Sequence, residues 1–325
     1  MIIIKVRNGL GNQMFIYAFG LYLQTKYPGH DIRFDFSDLP RFINGRKTYQ
    51  FTEIFYTFFN DFTAKDVRRY YRKPFYLQRP YSNKRSIFNC IIRKIAGISM
   101  KNFGMETINE PLTYWDIPDE FINGIKAFEP IENFIYVFNG YWENMDYIQP
   151  ISNIIKNNMK FKLDKINANL ADFIESDKEV VAVHVRRGDY IVESAQKTFP
   201  KNIYAICNQK YYDEALQIIN DKISNAFFLF FTDDSKFVED TFRAVSNKRI
   251  VQGNKDYEDL YLMTLCKHSI IANSTFSFWG AFLKKEKGIV IAPKVHYIRA
   301  INENIKITKM FFWMDEWIYL DNTIL

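Results

Sequence analysis

The sequence predicts an α/β protein of two domains, the second of which is a doubly wound parallel sheet. From residue 179 onward, short hydrophobic segments alternate with amphipathic segments of about ten residues, which is typical of βα units. The chain also opens with a strand, a glycine-containing loop, a helix and a second strand. Its 325 residues exceed the usual length of one domain, so two domains are expected.

The N-terminal segment reads as a βαβ opening. A short buried strand, "IIIKV", is followed by the turn "RNGLGN" and by the apolar helix "QMFIYAFGLYLQTKY", which ends at Pro28-Gly29. The segment "DIRFDF" alternates polar and apolar residues as a second strand does. Between about residues 36 and 150 the pattern is irregular and rich in aromatic residues, Asn and Lys, and we predict an insert of short helices joined by long loops.

The C-terminal half has a regular order of strands and helices. Strands are predicted over 179–185, 226–231, 249–251, 269–272 and 288–292, and helices over 209–220, 235–243, 257–267 and 276–285. We place the domain boundary between residues 176 and 177, so that the domains are 1–176 and 177–325. The last residues are expected to pack back on the first domain.

Composition points to a protein of a reducing compartment. The chain has only three cysteines, an odd number without metal-ligand spacing, which argues against a disulfide framework. The N-terminus lacks the features of a signal peptide, and no run of apolar residues is long enough to span a membrane. We therefore expect a cytoplasmic protein.

Positive charge is concentrated in one segment, Lys65–Lys101, which holds eleven Lys or Arg residues and one Asp. Its apolar residues fall at helical spacing, which predicts a basic amphipathic helix. Three interpretations stay open: a solvated helix face, contact with anionic lipid headgroups at the inner face of the membrane, or binding of an acidic polymer. Nucleic acid is not an expected partner, because no recognition motif accompanies the charge.

Polar side chains follow three of the predicted strands. Alternation along the strand at 179–185 places His184 and Arg186 on the same face at its carboxyl end. The next strand runs into Asp233 and Asp234. A later strand runs into the segment 273–277, "NSTFS", and directly into a helix, whose N-terminus is suited to an anion.

Each cluster also has a purely structural interpretation. His184 could be a core histidine, one of the two aspartates could cap the following helix, and "NSTFS" could be no more than a helix cap. The adjacent Arg186 and Arg187 are harder to explain, since arginines at a buried strand end need an anionic partner. Because the carboxyl ends of parallel strands share one edge, the three clusters together predict a nucleoside diphosphate site.

Other nucleotide motifs are absent or incomplete. There is no P-loop, and "GLGNQM" lacks the third glycine of a dinucleotide fingerprint. The strand that follows it, at residues 31–36, does not end on the acidic residue that would hold ribose. Asp233 and Asp234 could clamp a metal on a diphosphate, but the arginine pair could neutralise the same charge, so no metal site is predicted.

Four motifs in order resemble the α-1,2-fucosyltransferases of glycosyltransferase family 11. They are "GLGNQMF", "HVRRGDY", "FTDD" and "DLYLMTLCKHSIIANSTFSFWGAFL", and they span both ends of the chain. The resemblance implies a GT-B-like pair of Rossmann-type domains facing a cleft. It also implies GDP-β-L-fucose as donor, inversion at the transferred carbon and no essential metal. The implied acceptor is the 2-hydroxyl of galactose in a glycan, which we expect to be lipid-linked.

The resemblance also implies roles for individual residues. Arg186 would bind the β-phosphate and His184 the nucleotide, while Asp233 or Asp234 would hold guanine or ribose. The remaining donor-site residues would lie at the phosphates or line the cleft from the first domain, and they are Ser274, Thr275, Phe276, Ser277, Gly9, Gly11, Asn12 and Gln13. Among these, Asn12 would lie near the transferred sugar and take part in catalysis.

The general base is the least determined role. Asp189 is the preferred residue, because it lies just beyond the strand that carries Arg186, although it could instead anchor the turn at Gly188. Two alternatives to the whole assignment also stay open. One is a GDP-fucose-dependent transferase of another linkage, and the other is a polyanion- or membrane-binding protein that acts through Lys65–Lys101.

Overall fold

The computed structural model consists of two compact units, Met1–Lys160 and Phe161–Leu325. The residues that the structure describes are 1–36, 39, 42–43, 46–47, 105–111, 119–161, 168–176, 179–195, 204–301, 304–309 and 314–323. The predicted basic helix within Lys65–Lys101 lies outside these residues. Among the described helices, none is long and apolar enough to cross a membrane.

The first unit contains a four-stranded parallel sheet of order β2-β1-β6-β5 and a two-stranded hairpin, β3-β4. Its strands are β1 (Ile2–Lys5), β2 (Ile32–Asp35), β3 (Phe42–Ile43), β4 (Arg46–Lys47), β5 (Met105–Asn109) and β6 (Ile135–Asn139). Its described helices are α1 (Leu10–Lys26), α2 (Asp119–Lys126), α3 (Met145–Ile148) and α4 (Ser152–Asn158), with a 3₁₀ turn at Gln149–Ile151. The predicted βαβ opening is confirmed.

The core of the first unit forms where α1 covers the sheet. The β1 sequence is apolar except for its last residue, all four of its residues are buried, and α1 is buried along most of its length, as its apolar density predicted. Phe19 of α1 stacks on Trp142 with ring centres 4.2 Å apart. The expectation that no acidic residue ends β2 is wrong, because the strand ends on Asp35. That buried carboxylate lies 3.7 Å from the ammonium of Lys5, which makes it an ion-pair partner inside the unit.

Strands β5 and β6 correct the prediction for residues 36–150, which was an insert without strands. Both strands pair in the parallel sheet, β6 with β1 and β5 with β6. Only β6, "IYVFN", has three consecutive buried residues. The β5 sequence, "METIN", lies at the sheet edge, where exposed polar residues are tolerated, so hydrophobic periodicity does not reveal it.

The second unit contains a six-stranded parallel sheet of order β14-β11-β10-β7-β8-β9, with β12 and β13 as a separate hairpin. Its strands are β7 (Val180–Val185), β8 (Phe227–Thr232), β9 (Lys248–Ile250), β10 (His268–Ile270), β11 (Val290–Pro293), β12 (Val295–Ile301), β13 (Asn304–Lys309) and β14 (Ile318–Leu320). Its described helices are α5 (Ala168–Ser176), α6 (Gly188–Ala195), α7 (Gln209–Lys222), α8 (Ser235–Thr241), α9 (Asp256–Leu265) and α10 (Thr275–Phe282). The doubly wound sheet and the predicted order of its elements are confirmed.

Strand β7 is buried on both faces, which is why its sequence is a continuous apolar run. Val181, Val183 and Val185 pack against α7 on one face. Val180 and Ala182 pack on the other face, in the cluster to which α5 and α9 contribute. The alternation inferred from the sequence is therefore present.

The second unit begins before the predicted domain limit. Leu170 and Ile174 of α5 belong to the core beside β7, so the division falls after Lys160, upstream of the predicted boundary at 176 and 177. Strand β14 pairs with β11, and Asn322 hydrogen bonds to Ala205 and Val295. Residues 318–322 are thus anchored within the second unit, and packing of the last residues on the first domain stays a prediction.

We predict that Gly288→Ala destabilises the second unit. A Cβ at Gly288 would overlap the backbone carbonyl oxygen of Lys267, which cannot move without disturbing the start of β10. The expected loss of unfolding free energy is about 1–3 kcal/mol. Urea denaturation measures it.

Gly124→Ala is the matched control. Gly124 lies on the exposed face of α2, and no neighbouring element among the described residues comes within 4 Å of its Cβ position. Alanine there should stabilise by up to about 1 kcal/mol through helix propensity. Equal effects of the two substitutions would show that the close approach at Gly288 is absent.

Candidate active site

The strand order of the second sheet places its switch point between β7 and β10. From β7 the chain continues to β8 and β9 on one side, and later to β10 and β11 on the other. Ligands of doubly wound sheets bind outside the carboxyl ends of the strands at such a point. The ring of His184, at the end of β7, lies 5.5 Å from that of Phe276 in α10, so two of the predicted donor-site residues are neighbours here.

Arg186 is held between two carboxylates just beyond β7. Its Nη1 lies 2.9 Å from Oδ2 of Asp233, and its Nη2 lies 2.7 Å from Oδ2 of Asp189. The guanidinium carbon lies 5.4 Å from the ring centre of Tyr190. Burial opposes the charged form, but the carboxylates raise the pKa of Arg186 above its usual value. A permanently charged, oriented guanidinium with further N–H donors therefore stands at the switch point.

The two aspartates after β8 have different contacts. Oδ1 of Asp233 accepts a hydrogen bond of 2.9 Å from the backbone N–H of Arg187. Asp234 caps α8 by accepting from the N–H of Phe237 at 3.0 Å, and it pairs with Nε of Arg187 at 3.3 Å. The cap predicted as an alternative is therefore present at Asp234. Both carboxylates are engaged within the protein, and their contact with guanine or ribose stays a prediction.

The segment 273–277 turns the chain from β10 into α10. Ser274 is the N-cap residue but forms no side-chain cap bond to the helix. The hydroxyl of Ser277 donates to the carbonyls of Ala272 and Ser274, each at 3.2 Å, so this buried side chain holds the turn. Thr275 begins the helix. The N-terminus of α10 thus lies at the carboxyl edge of the strand next to β7, as the sequence predicted.

Two buried polar atoms at this edge have no hydrogen-bond partner within the described ranges. They are Nδ1 of His184 and Oδ1 of Asn273, and both residues are less than a tenth exposed. Burial, together with the charge of Arg186, lowers the pKa of His184 to about 3, so its imidazole is neutral at physiological pH. Because an unsatisfied buried polar atom costs about 1–3 kcal/mol, both atoms favour a bound polar ligand here.

The predicted residues of the first domain lie together at the carboxyl end of β1. Gly9 precedes α1, and Gly11, Asn12 and Gln13 form its first turn. Gln13 is fully buried and donates to the carbonyl of Asn8 at 2.7 Å. These residues belong to a different unit from Arg186, and their contribution to the same site stays a prediction.

A family model described as "Glycosyl transferase family 11" matches residues 1–321. The chain belongs to glycosyl transferase family 11. The resemblance read from the four motifs is thereby confirmed, and the protein is a glycosyltransferase.

Relatives of this family 11 enzyme extend the comparison. It is 28% identical to the O-antigen biosynthesis glycosyltransferase WbnK of Escherichia coli, over 96% of this chain and 98% of that protein. It is 33% identical to an alpha-1,2-colitosyltransferase of Escherichia coli, over 48% of this chain and 54% of that protein. The solved structure of the Bradyrhizobium NodZ alpha-1,6-fucosyltransferase, soaked with GDP-fucose, aligns with a TM-score of 0.51 at 14% identity. That alignment covers 95% of this chain and 98% of NodZ, and the GT-B-like α/β fold is confirmed.

The contacts of Asp189 and Tyr190 with Arg186 in the family 11 site were not predicted from the sequence. Asp189 lies in the first turn of α6, where its carboxylate holds the guanidinium of Arg186, and its role as general base stays a prediction. Tyr190 was not singled out from the sequence. It lies near Arg186 and stacks on Tyr204 with ring centres 3.9 Å apart. Its place as the last residue of the "HVRRGDY" motif was the signal for it in the sequence.

We predict that Arg186 and Arg187 of the family 11 enzyme differ in what their substitution changes. Arg186→Lys should lower kcat about 10²–10³-fold, by analogy with the loss of one oxyanion donor, because lysine lacks the paired planar donors. The melting temperature should change little. Arg187→Ala should instead lower the melting temperature, since the Arg187 guanidinium carbon lies 3.7 Å from the ring centre of Phe237 and its Nε pairs with Asp234. A stable Arg186→Lys enzyme with full kcat would contradict the assignment.

Proposed function

We propose that this family 11 enzyme transfers L-fucose, with inversion, from GDP-β-L-fucose to a hydroxyl of a glycan acceptor. One observation carries the proposal: the guanidinium of Arg186 is fixed at the switch point of the second sheet, just beyond β7, whose neighbour β10 leads into α10. A diphosphate needs fixed positive charge and N–H donors, and this edge supplies both. The buried atoms of His184 and Asn273 supply further polar contacts for the nucleotide.

Arg186 and the helix terminus act on the leaving group. In the proposed reaction the acceptor oxygen forms a bond to the anomeric carbon as that carbon's bond to the β-phosphate oxygen breaks. The electron pair of the broken bond leaves with GDP, so negative charge builds on the diphosphate. Preorganised donors at that position lower the barrier, because they require no rearrangement as the charge develops.

The acceptor in this proposal is the 2-hydroxyl of galactose in a lipid-linked glycan of the cell surface. Support comes from the α-1,2 linkage in the name of one relative and from O-antigen biosynthesis in the name of the other. The NodZ structure has the same fold and a name that states an α-1,6 linkage, so the fold does not fix the linkage. A transferase that forms another linkage remains the alternative, and a screen of acceptors tests it.

A colitosyl donor is the second candidate. The relative with the higher identity of the two is an alpha-1,2-colitosyltransferase. Colitose is fucose without one ring hydroxyl, so a site that binds one can differ from a site that binds the other by a single polar contact. The diphosphate site proposed here is common to both donors.

The family match places the chain among glycosyltransferases, so a protein that acts only by binding polyanions or membranes is excluded as the alternative. Lys65–Lys101 lies outside the described residues, so binding of a polyanion by this segment stays a prediction. Peripheral contact with an anionic membrane through the same segment, and the cytoplasmic location, stay predictions.

We predict that GDP-fucose raises the melting temperature of the protein and that UDP-glucose does so much less. A ligand at 100 times its Kd adds about 2.7 kcal/mol to the stability of the form that binds it. Differential scanning fluorimetry with GDP-fucose, GDP-mannose, UDP-glucose and UDP-galactose measures the preference. Transfer from GDP-fucose to lactose, measured by released GDP, then tests the reaction. Equal stabilisation by UDP-glucose would contradict the proposed donor.

We also predict that transfer continues in excess EDTA. Arg186 lies where charge develops on the diphosphate in the proposed reaction, which makes a divalent cation dispensable. The initial rate should stay within about twofold after treatment with EDTA and removal of metals by chelating resin. If activity were lost and restored by Mg²⁺ or Mn²⁺ alone, Asp233 and Asp234 would have to be reconsidered as metal ligands.

A further inference from the structure

The carboxyl edge of the first sheet carries a second polar cluster, outside the diphosphate site. Strands β1 and β6 are parallel neighbours, so both end at this edge. Arg7 and Asn8 follow β1, and residues 140–143 follow β6. Asn8 donates from its side chain to the hydroxyl of Tyr141 at 3.0 Å, and Arg7 donates to the side chain of Asn139. The two strand ends are thus linked through polar side chains.

Both strand ends have strained backbone. Asn8 and Trp142 have φ values of 59°, in the left-handed region. For a bulky residue such as Trp142 this conformation is an outlier and costs about 1–3 kcal/mol. It is maintained by the stack of the Trp142 ring on Phe19. Strain of this kind is concentrated at functional sites, which makes the next residue, Glu143, a candidate functional residue.

A buried carboxylate, Glu110, fixes this turn from below. It accepts hydrogen bonds from the backbone N–H of Tyr141 at 2.5 Å and of Trp142 at 3.0 Å. Gly140 makes room for it, because a Cβ there would overlap the Glu110 side chain. Burial raises the pKa of Glu110, against the lowering effect of these N–H groups and of Arg7. Both carboxylate oxygens of Glu110 therefore accept backbone hydrogen bonds, and the role of this residue is structural.

Glu143 is the contrasting carboxyl group of this edge. It is partly buried, and it forms no hydrogen bond or ion pair with any residue that the structure describes. Burial, followed by the negative charge of Glu110, raises the pKa of Glu143 to about 8. No described residue pairs with its carboxylate oxygens, whereas Oδ2 of Asp189 pairs with the guanidinium of Arg186.

We propose that Glu143 is the general base that accepts the proton of the acceptor hydroxyl. The inference rests on the proposed transfer reaction and adds the group that activates its nucleophile. The proton moves from the acceptor oxygen to a carboxylate oxygen of Glu143 as that oxygen bonds to the anomeric carbon and GDP departs with the electron pair. Glu143 then releases the proton to water. Arg7, Asn8 and Tyr141 supply donors that can hold an acceptor sugar at this edge.

Glu143→Gln tests the base directly, with Glu132→Gln as the matched control. Both substitutions remove one carboxylate from the first unit, but Glu132 is exposed. In Glu143→Gln the kcat of transfer should fall about 10²–10⁴-fold, the usual contribution of general-base catalysis. The rise in melting temperature caused by GDP should not change. Glu132→Gln should match the wild type in both measurements.

The pH profile separates a base from a structural residue. A base acts only when deprotonated, so the wild-type kcat should rise with pH up to about 8 and then level off. This rise of kcat with pH should be absent in Glu143→Gln. Glu110→Gln keeps an oxygen for the backbone N–H groups but removes the negative charge, so the rise of kcat should occur at lower pH. If Glu143 had only a structural role, neither substitution would change the pH range over which kcat rises.

Glu143→Gln with kcat within threefold of the wild type, or with the wild-type rise of kcat with pH, would overturn the proposal. The comparison is made with the donor and acceptor pair that the wild type turns over most rapidly. If that pair contained another sugar, the proposed donor or acceptor would be wrong, and the ratio of the two kcat values would still decide the role of Glu143.

Discussion

The carboxylate of Asp233 ties the ends of two neighbouring strands together, and the candidate diphosphate site depends on this interaction. One oxygen accepts the backbone N–H of Arg187, which fixes the turn after β7. The other pairs with Arg186, whose second terminal nitrogen is held by Asp189. Arg186 is therefore oriented before any ligand arrives. Preorganised charge is effective in catalysis because the protein does not have to rearrange as the reaction proceeds.

The two units place opposite chemistry at corresponding positions. The carboxyl edge of the second sheet carries fixed positive charge from Arg186, suited to a leaving diphosphate. The carboxyl edge of the first sheet carries Glu143, the proposed base for the attacking hydroxyl. A displacement at a sugar carbon needs stabilisation of charge on one group and removal of a proton from the other.

The second unit was predictable because its strands are buried on both faces. The apolar runs of β7 and β8 have the length of strands, and polar residues follow each at once, so their positions at one edge could be inferred. The position of Asp189 against Arg186 could not, because it depends on α6 starting at Gly188, which no pattern indicated. Strand β5 was missed because its edge position requires little apolar surface. That no described residue pairs with Glu143 could not be predicted either, since it depends on how the turn after β6 folds against Glu110.

A crystal structure of the protein with GDP tests the central claim most directly. The account predicts that the β-phosphate lies within hydrogen-bond distance, about 2.7–2.9 Å, of the Arg186 guanidinium, beside the N-terminus of α10. It also predicts that the nucleotide contacts Nδ1 of His184 or Oδ1 of Asn273, two buried atoms at this edge that have no partner among the described residues. A diphosphate bound at the carboxyl edge of the first sheet, with Arg186 still paired to both aspartates and touching no ligand, would contradict it.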